Sequence, residues 1–264
     1  MRILPYLQSL ATDYSPRVHA NGFIQIDITK SVRLHIWGHH DIPRQRVPTP
    51  IHDHTFNFTS RVLFGALNDR LYSIAEPQPE SAFAPEQQLY QLHVARVARG
   101  DNTTLFPEGP HVIARCERSV MWSPMRWDLE PFDDPQLADG GGDTYTMCAG
   151  EFHESIALMP SASVIIKDGA SLAQGGPSPR VLVPIGQQPS NEFDRHAALT
   201  VGCIWQIVTN VVRLDPEAIA AGIAWALQQE RALILNTAPS IIAAGIQPSA
   251  QGDGDPGNRA LHVE

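Results

Sequence analysis

The stretch GDTYTMCAGEFHES, residues 142–155, decides which fold this sequence predicts. It contains a strand, a turn at Cys148-Ala149-Gly150 and the start of a second strand that carries His153. Successive side chains of a strand point to opposite faces, so His153 and Ser155 share one face while Phe152 lies on the other. A histidine presented in this way is a candidate metal ligand.

A second segment with histidines, IHDHTF at residues 51–56, has the same period of two. His52 and His54 project from one face of a strand, whereas Asp53 points to the other. A transition metal held by protein side chains usually needs at least a third ligand. His153 is the candidate for it, and His111, in another strand-like segment, is the alternative.

Both segments resemble the paired motifs of the cupin superfamily. The second cupin motif is a glycine, five residues, usually a proline, one residue, a glycine, two residues and a histidine. Gly142, Gly150 and His153 match it in register, and Cys148 stands where proline is usual. IHDHTFNFTSRVLFG, residues 51–65, is similar to the first motif, with the His-x-His pair in place and Gly65 as the closing glycine.

The resemblance implies a mainly β fold, a cupin-type antiparallel β-barrel (double-stranded β-helix) with a C-terminal helical region. We expect an N-terminal helix or arm over residues 1–19 and the barrel, with insertions, over residues 20–188. A helical region follows over residues 189–247, and the composition of residues 248–264 predicts a disordered tail. The metal ligands that the resemblance implies are His52, His54 and His153.

Alternating apolar and polar residues independently predict many strands. FIQIDIT and SVRLHIW, residues 23–37, give two neighbouring strands, and residues 58–76 give two more joined by a turn at Asn68-Asp69. Further predicted strands are QLYQLHVARVA, HVIARCERSVMW, GDTYTM, EFHESIAL and SVIIKD. Helical spacing appears at residues 3–12, after a possible cap at Ser190, and after Asp215, where Pro216 occupies the first helical position.

The chain departs from four-ligand cupins where they carry a glutamate, because Phe58 and Thr59 occupy those positions. Arg46 also replaces a glycine of the first motif. The loss of the carboxylate resembles the thiol dioxygenase branch, which comprises cysteine dioxygenase, cysteamine dioxygenase and their plant relatives. That resemblance implies an Fe(II)-dependent dioxygenase whose partners are O2 and a small thiol or similar chelating substrate. Three neutral imidazoles leave the ion its full charge and open positions.

Strand parity and composition suggest neighbours for this site. Glu151 is a candidate acceptor that orients a ligand imidazole, and Tyr145 could supply a phenol. Arg33, together with His35, could hold a substrate carboxylate. The aromatic residues that follow His54 predict a largely apolar pocket. Imidazole also suits Zn, Ni or Mn, so the ligand set alone does not choose Fe(II).

Composition limits the other classes of function. A net charge of -9 and a pI near 5.6 argue against a nucleic-acid partner. No stretch approaches the roughly 18 apolar residues of a membrane span, and the N-terminus lacks a signal-peptide core. Three widely spaced cysteines do not form a disulfide framework, so we expect a cytoplasmic protein. The apolar C-terminal helices also allow a homodimer.

Two further functions fit the same sequence. One is another metal-dependent cupin enzyme, such as an isomerase, a hydrolase or a ring-cleaving oxygenase, which would be indifferent to thiols. The other is a binding protein whose barrel holds a small ligand or a metal without turnover. The effect of His153→Ala separates these cases, because an enzyme loses an activity and a binding protein loses affinity.

Overall fold

The computed structural model describes residues 2–10, 16–19, 21–38, 42, 51–76, 88–97, 103–124, 137–138, 142–168, 178–187 and 199–242. Within these ranges the chain forms mainly β-strands, with one helix near the N-terminus and two near the C-terminus. The strands are β1 Arg17–His19, β2 Phe23–Asp27, β3 Val32–Trp37, β4 Phe58–Phe64, β5 Leu67–Ala75, β6 Leu89–Val97, β7 Thr103–Trp122, β8 Leu137–Ala138, β9 Thr144–Met147, β10 Phe152–Ala157, β11 Ser161–Lys167 and β12 Arg180–Pro184. The helices are α1 Ile3–Leu10, α2 Val201–Val212 and α3 Pro216–Ile242.

The strands form two sheets. Sheet A has the order β1-β2-β3-β11-β4-β9, and sheet B has the order β10-β5-β7-β6-β12. All of these pairs are antiparallel, and the short β8 adds a parallel pair to β7. The prediction of a mainly β, antiparallel fold with a C-terminal helical region is therefore confirmed, and the strands form two sheets.

Sheet A has an apolar face covered by the helices. The alternation predicted for β2 and β3 is present, since Ile24, Ile26, Leu34 and Ile36 are fully buried in one core with residues of α1, α2 and α3. The opposite face of sheet A carries a different set of side chains, including Phe23, His35 and Trp37, which are in ring contact with one another. This second face points toward the candidate site.

Residues 51–53 connect the two edge strands of sheet B. His52 exchanges backbone hydrogen bonds with His153 on β10, at N···O distances of 3.0 and 2.9 Å. On the other side, Asp53 N donates to Arg180 O and Leu182 N donates to Ile51 O, both at 3.0 Å. Backbone pairing in sheet B thus continues from one edge strand to the other through the segment that carries the first histidine pair.

The turn between β4 and β5 differs from the prediction. It lies at Gly65 and Ala66, and both Asn68 and Asp69 are paired residues of β5. Gly65 has φ +77°, and a Cβ there would lie 2.6 Å from Pro160 O, so only glycine suits this close approach of two turns. Asn68-Asp69 has the composition of a turn, but the contacts of Gly65 with the facing turn determine where the chain turns.

The helix signals near the C-terminus are partly confirmed. Asp215 caps α3 by accepting a hydrogen bond from Ala218 N at 2.9 Å, with Pro216 at the first helical position. The described α2 begins after Thr200, which accepts from Cys203 N, whereas the predicted cap at Ser190 lies outside the described residues. The predicted tail, residues 248–264, also lies outside them. None of the helices described is long and apolar enough to span a membrane.

Candidate metal centre

The three predicted histidines meet at one place between the sheets. Because His52 and His153 form a directly opposed backbone pair, their side chains lie on the same face of the pairing. The ring centroids are 4.6 Å apart for His52 and His153, 4.9 Å for His52 and His54, and 5.0 Å for His54 and His153. The Gly150 N–H donates to His54 O at 2.9 Å and fixes the remaining histidine against the turn.

Burial keeps two imidazoles of the cluster neutral, those of His153 and His54. His153 is 3% exposed, and burial lowers its pKa to about 3, with the neighbouring His52 contributing in the same direction. Burial also lowers the pKa of His54 well below its usual value, and His52 and then His153 lower it further. A neutral imidazole offers a lone pair, which is the form that binds a transition metal.

The donor set fits a single transition-metal ion. One nitrogen from each of the three rings lies within 4.8 Å of the others. Two nitrogens bound at about 2.1 Å to one tetrahedral ion are about 3.4 Å apart. The spacing of the three nitrogens exceeds that value by at most about 1.4 Å, and rotation of the imidazoles about their broad χ2 torsions would bring them closer together.

The carbonyl of Glu151 orients one of the rings. His153 Nδ1 lies 3.3 Å from Glu151 O, so an N–H on Nδ1 can donate to this carbonyl and leave Nε2 for a metal. The Glu151 carboxylate, which the sequence suggested as an acceptor for a ligand imidazole, is exposed and accepts a hydrogen bond from Cys148 N at 2.7 Å. The orienting contact thus comes from the backbone of this residue.

The aromatic residues after His54 surround its imidazole. Its ring centroid is 5.2 Å from that of Phe56 and 5.1 Å from that of Phe58, as the predicted apolar pocket requires. Phe58 occupies a position where four-ligand cupins carry glutamate, and the group of potential ligands found in the described ranges contains three histidines and no carboxylate. The alternative ligand His111 is exposed on β7 and lies outside this group.

Tyr145, the predicted phenol, lies on the inner face of β9. Its ring stacks on Trp122 at a centroid distance of 4.8 Å and lies 6.4 Å from Phe58. Burial raises the pKa of Tyr145 well above its usual value, and the nearby Asp69 raises it further. The phenol therefore stays protonated at neutral pH and can act only as a neutral hydrogen-bonding group.

Arg33 and His35 occupy the inner face of β3, as parity predicted. Arg33 Nε lies 2.7 Å from Asp27 Oδ1, so the guanidinium is part of an ion pair. His35 is 6% exposed, and neither ring nitrogen has a hydrogen-bond partner among the described residues. Burial lowers the pKa of His35 well below its usual value, with Arg33 and then Lys167 contributing.

Three residues near the site do not follow from the sequence patterns. Lys167 ends β11 and is buried beside Phe56, with Nζ 5.3 Å from the ring centroid. Composition predicts a turn at Asp69, but this residue is buried on β5, where Ser155 donates a hydrogen bond to it. Arg180 contacts Asp53 from β12, a strand that the sequence does not predict. Strand parity along SVIIKD, residues 163–168, could have placed Lys167 on the inner face. The contacts of Asp69 with Ser155 and of Arg180 with Asp53 depend on which strands pair, and the sequence does not give that.

A separate groove of about 510 Å³ lies on the opposite side of β10 from His153. Its lining includes Tyr72, Glu117, Phe152 and Arg180, and none of the three histidines. Phe152 therefore faces the groove and His153 faces the histidine cluster, so these neighbouring residues of β10 lie on opposite faces, as the sequence predicted.

No protein-family model matches the chain, and no curated protein matches it. The geometry of the three histidines and their neighbours is therefore the basis for any functional conclusion.

Proposed function

We propose that this protein is a cupin-type metalloenzyme that binds one divalent metal through His52, His54 and His153. We further propose that it acts as an Fe(II)-dependent dioxygenase on a small thiol or a similar chelating substrate. The observation that carries the proposal is the convergence of three imidazoles, of which burial keeps His54 and His153 neutral, with no carboxylate in the described ligand group.

The surroundings of the histidines support the cupin assignment. Gly142 has φ +77°, Gly150 has φ +83° in the turn before His153, and Gly65 has φ +77° at the end of β4, so all three motif glycines occupy backbone conformations that favour glycine. The two motifs also pair directly, through the hydrogen bonds between His52 and His153. These features are what the resemblance to cupins implies for the two segments.

The proposed chemistry uses neutral ligands. Bound Fe(II) would supply the redox chemistry with O2. The same three imidazoles could also bind Zn, Ni or Mn, which would not supply the Fe(II) chemistry. Because the three histidines contribute no negative charge, the centre favours an anionic chelating ligand such as a thiolate. Phe56 and Phe58 give the His54 side of the centre an apolar, aromatic lining.

The other predicted residues take defined roles in this proposal. The Arg33 guanidinium, on the inner face beside His35, is positioned to attract an anionic group of the substrate. Tyr145 can donate its phenolic proton as a neutral group, because its raised pKa keeps that proton bound. Glu151 holds the turn before His153 through its carboxylate and faces the imidazole through its carbonyl.

An oxygen-uptake experiment tests the function. The purified protein is loaded with Fe(II) without oxygen, and O2 consumption is then followed with a panel of small thiols. Conversion of a thiol RSH and O2 to the sulfinic acid RSO2H consumes one O2 per thiol. We expect uptake at that ratio with at least one thiol, and none with His153→Ala. Iron-loaded protein that consumes no O2 with any thiol would remove the thiol assignment.

A further inference from the structure

The groove on the Phe152 side of β10 is the open end of a ring of strands. Sheet B has the order β10-β5-β7-β6-β12, and segment 51–53 pairs with both β10 and β12, so the backbone pairing closes on itself. Every strand of sheet B contributes a residue to the groove lining, in the same order: Phe152, Tyr72, Glu117, Leu92 and Arg180. The mouth of a closed set of strands is a common place for a small-molecule site.

The interior of this ring is apolar. Its buried core has four residues: Ile51, Val112, Phe152 and Leu182. Tyr72, Ile74 and Leu92 pack against that core, remain partly exposed and also line the groove. They offer a ligand apolar surface, and covering such surface is favourable. The groove volume of about 510 Å³ lies in the range of pockets that hold small molecules, so the occupant is a small molecule rather than a folded partner.

A bulge in β7 supplies a carboxylate at the groove. The pairing of β5 with β7 shifts by one residue between Leu71 and Tyr72, which leaves Glu117 of β7 without a partner on β5. Bulges re-aim a side chain and are common next to functional sites. Glu117 is exposed, and Ser73 Oγ donates a hydrogen bond to its Oε1 at 2.5 Å. This contact orients the Glu117 carboxylate and uses one of its two oxygens.

The charge of the groove lining is negative. Glu151 adds a second exposed carboxylate. Arg180 is the cationic residue of the lining, but its Nε and Nη2 both lie 2.6 Å from the Asp53 carboxylate, which compensates its charge. No ion pair among the described residues includes Glu117 or Glu151. An apolar groove with two uncompensated carboxylates is complementary to an apolar molecule that carries a positive charge.

We propose that this groove is a second ligand site, which binds a small organic cation with an ammonium group on an apolar body. The ammonium contacts the carboxylates of Glu117 and Glu151, and the apolar body packs against Ile74 and Leu92. The site is separate from the metal centre, because the groove lining contains none of the three histidines. The inference therefore goes beyond the proposed function and does not rest on it.

A methyl NMR titration of the full-length protein tests the site with three probes that share a phenyl body and differ in charge: phenethylammonium, phenethyl alcohol and phenylacetate. The Ile74 δ-methyl signal is assigned as the one that Ile74→Val lacks. At neutral pH and low salt, we expect phenethylammonium to shift this signal to saturation. Its Kd should be about tenfold or more below that of phenylacetate, because the carboxylates attract one probe and repel the other. The methyl signal of Ile219, fully buried in α3, should not move.

Exposed variants test the carboxylates. Glu117→Gln should weaken phenethylammonium binding about threefold, the size expected for one exposed charge pair. Glu117→Lys should remove the preference for phenethylammonium over phenylacetate. The matched control is Glu108→Gln, which changes an exposed glutamate of the same strand outside the groove lining and should bind as wild type does. Salt at about 0.5 M should weaken the binding of phenethylammonium but not that of phenethyl alcohol, because salt screens exposed charges.

Two results with wild type would overturn the proposal without any variant: an Ile74 methyl signal that no probe shifts, or a Kd for phenethylammonium no lower than those for the other two probes. Equal affinity of Glu117→Gln and wild type for phenethylammonium would also overturn it. His153→Ala should bind the probe as wild type does, and an Ile74 shift that disappears in this variant would place the probe at the metal centre instead. Loss of metal from His153→Ala with unchanged probe binding separates the two sites.

Discussion

The Asp53 carboxylate binds Arg180 on the face of segment 51–53 opposite the two histidines. It accepts from the Arg180 backbone N–H at 2.5 Å and from Nε and Nη2 at 2.6 Å each, and the Asp53 side chain is only 4% exposed. The Arg180 guanidinium in turn lies over the Phe152 ring, 4.8 Å from its centroid. Since Phe152 directly precedes His153, this one ion pair holds both of the chain segments that present candidate ligands.

Removing Asp53 should therefore weaken the fold and the metal centre together. We expect Asp53→Ala to lower the free energy of unfolding of the metal-free protein by about 3 kcal/mol, because three N–H groups of Arg180 lose their charged acceptor. Metal affinity should fall by about tenfold or more, since residues that support ligands have effects of that size. Urea unfolding and metal titration measure the two quantities.

The matched control for Asp53 is the looser pair of Arg70 and Glu154, in which the arginine is exposed and the charged atoms are 3.8 Å apart. Arg70→Ala should change the free energy of unfolding by less than about 1 kcal/mol, as is usual for surface pairs. If Asp53→Ala is as stable as Arg70→Ala, the Asp53 pair does not hold the ligand segments.

His153→Ala should abolish stoichiometric metal binding. The remaining pair, His52 and His54, supplies two ligands, and a transition metal in a protein usually needs at least three. Elemental analysis by mass spectrometry, after loading with Fe(II) or Zn(II), should give about one ion per wild-type chain and under about a tenth of that in the variant. His111→Ala, which removes an exposed histidine outside the cluster, should match wild type. Equal metal content in His153→Ala and wild type would rule out the three-histidine site.

Local patterns in the sequence predicted the elements because each pattern reports on a short segment. The alternation along β2 and β3 follows from one face being packed against the helices, and the Asp215-Pro216 signal depends only on the backbone groups of one helix end. The shared face of His153 and Ser155 likewise follows from strand parity. The meeting of His52 with His153 is a long-range pairing, and only the resemblance to paired motifs predicted it.

Contacts between distant segments set the limits of the prediction. Asn68-Asp69 has the composition of a turn, yet these residues pair with Ile156 and Ser155 on β10, and the turn moves to Gly65. Lys167 comes beside Arg33 because β11 lies between β3 and β4, an order that the sequence does not reveal. Asp69 is likewise buried because β5 pairs with β10, a pairing that the sequence does not reveal.

Gly65→Ala should be strongly destabilising. The new Cβ would overlap Ser161 Oγ and lie 2.6 Å from Pro160 O, and the backbone has φ +77°. Strain at positive φ costs about 1–2 kcal/mol, and displacement of the facing turn adds to it, so we expect a total loss of about 3 kcal/mol in urea unfolding. Gly186→Ala is the control, because Gly186 has φ +85° and a Cβ added there would have no atom within 4 Å. If Gly65→Ala loses no more stability than Gly186→Ala, backbone strain accounts for the whole loss and the facing turn is not displaced.

Asp69 should make the stability of the protein depend on pH below neutrality. Burial raises the pKa of Asp69 from 3.8 to about 6, although the Ser155 hydrogen bond acts in the opposite direction. The folded state therefore favours the protonated acid, so the stability that Asp69 contributes is complete below pH 3.8 and is lost as the pH rises through about 6. A difference of this size corresponds to about 3 kcal/mol. Asp69→Asn cannot titrate, so its stability relative to wild type should increase by about that amount between pH 4 and pH 7. Urea unfolding of both proteins at several pH values in this range measures the difference, and a difference that does not vary with pH would mean that Asp69 is ionised throughout.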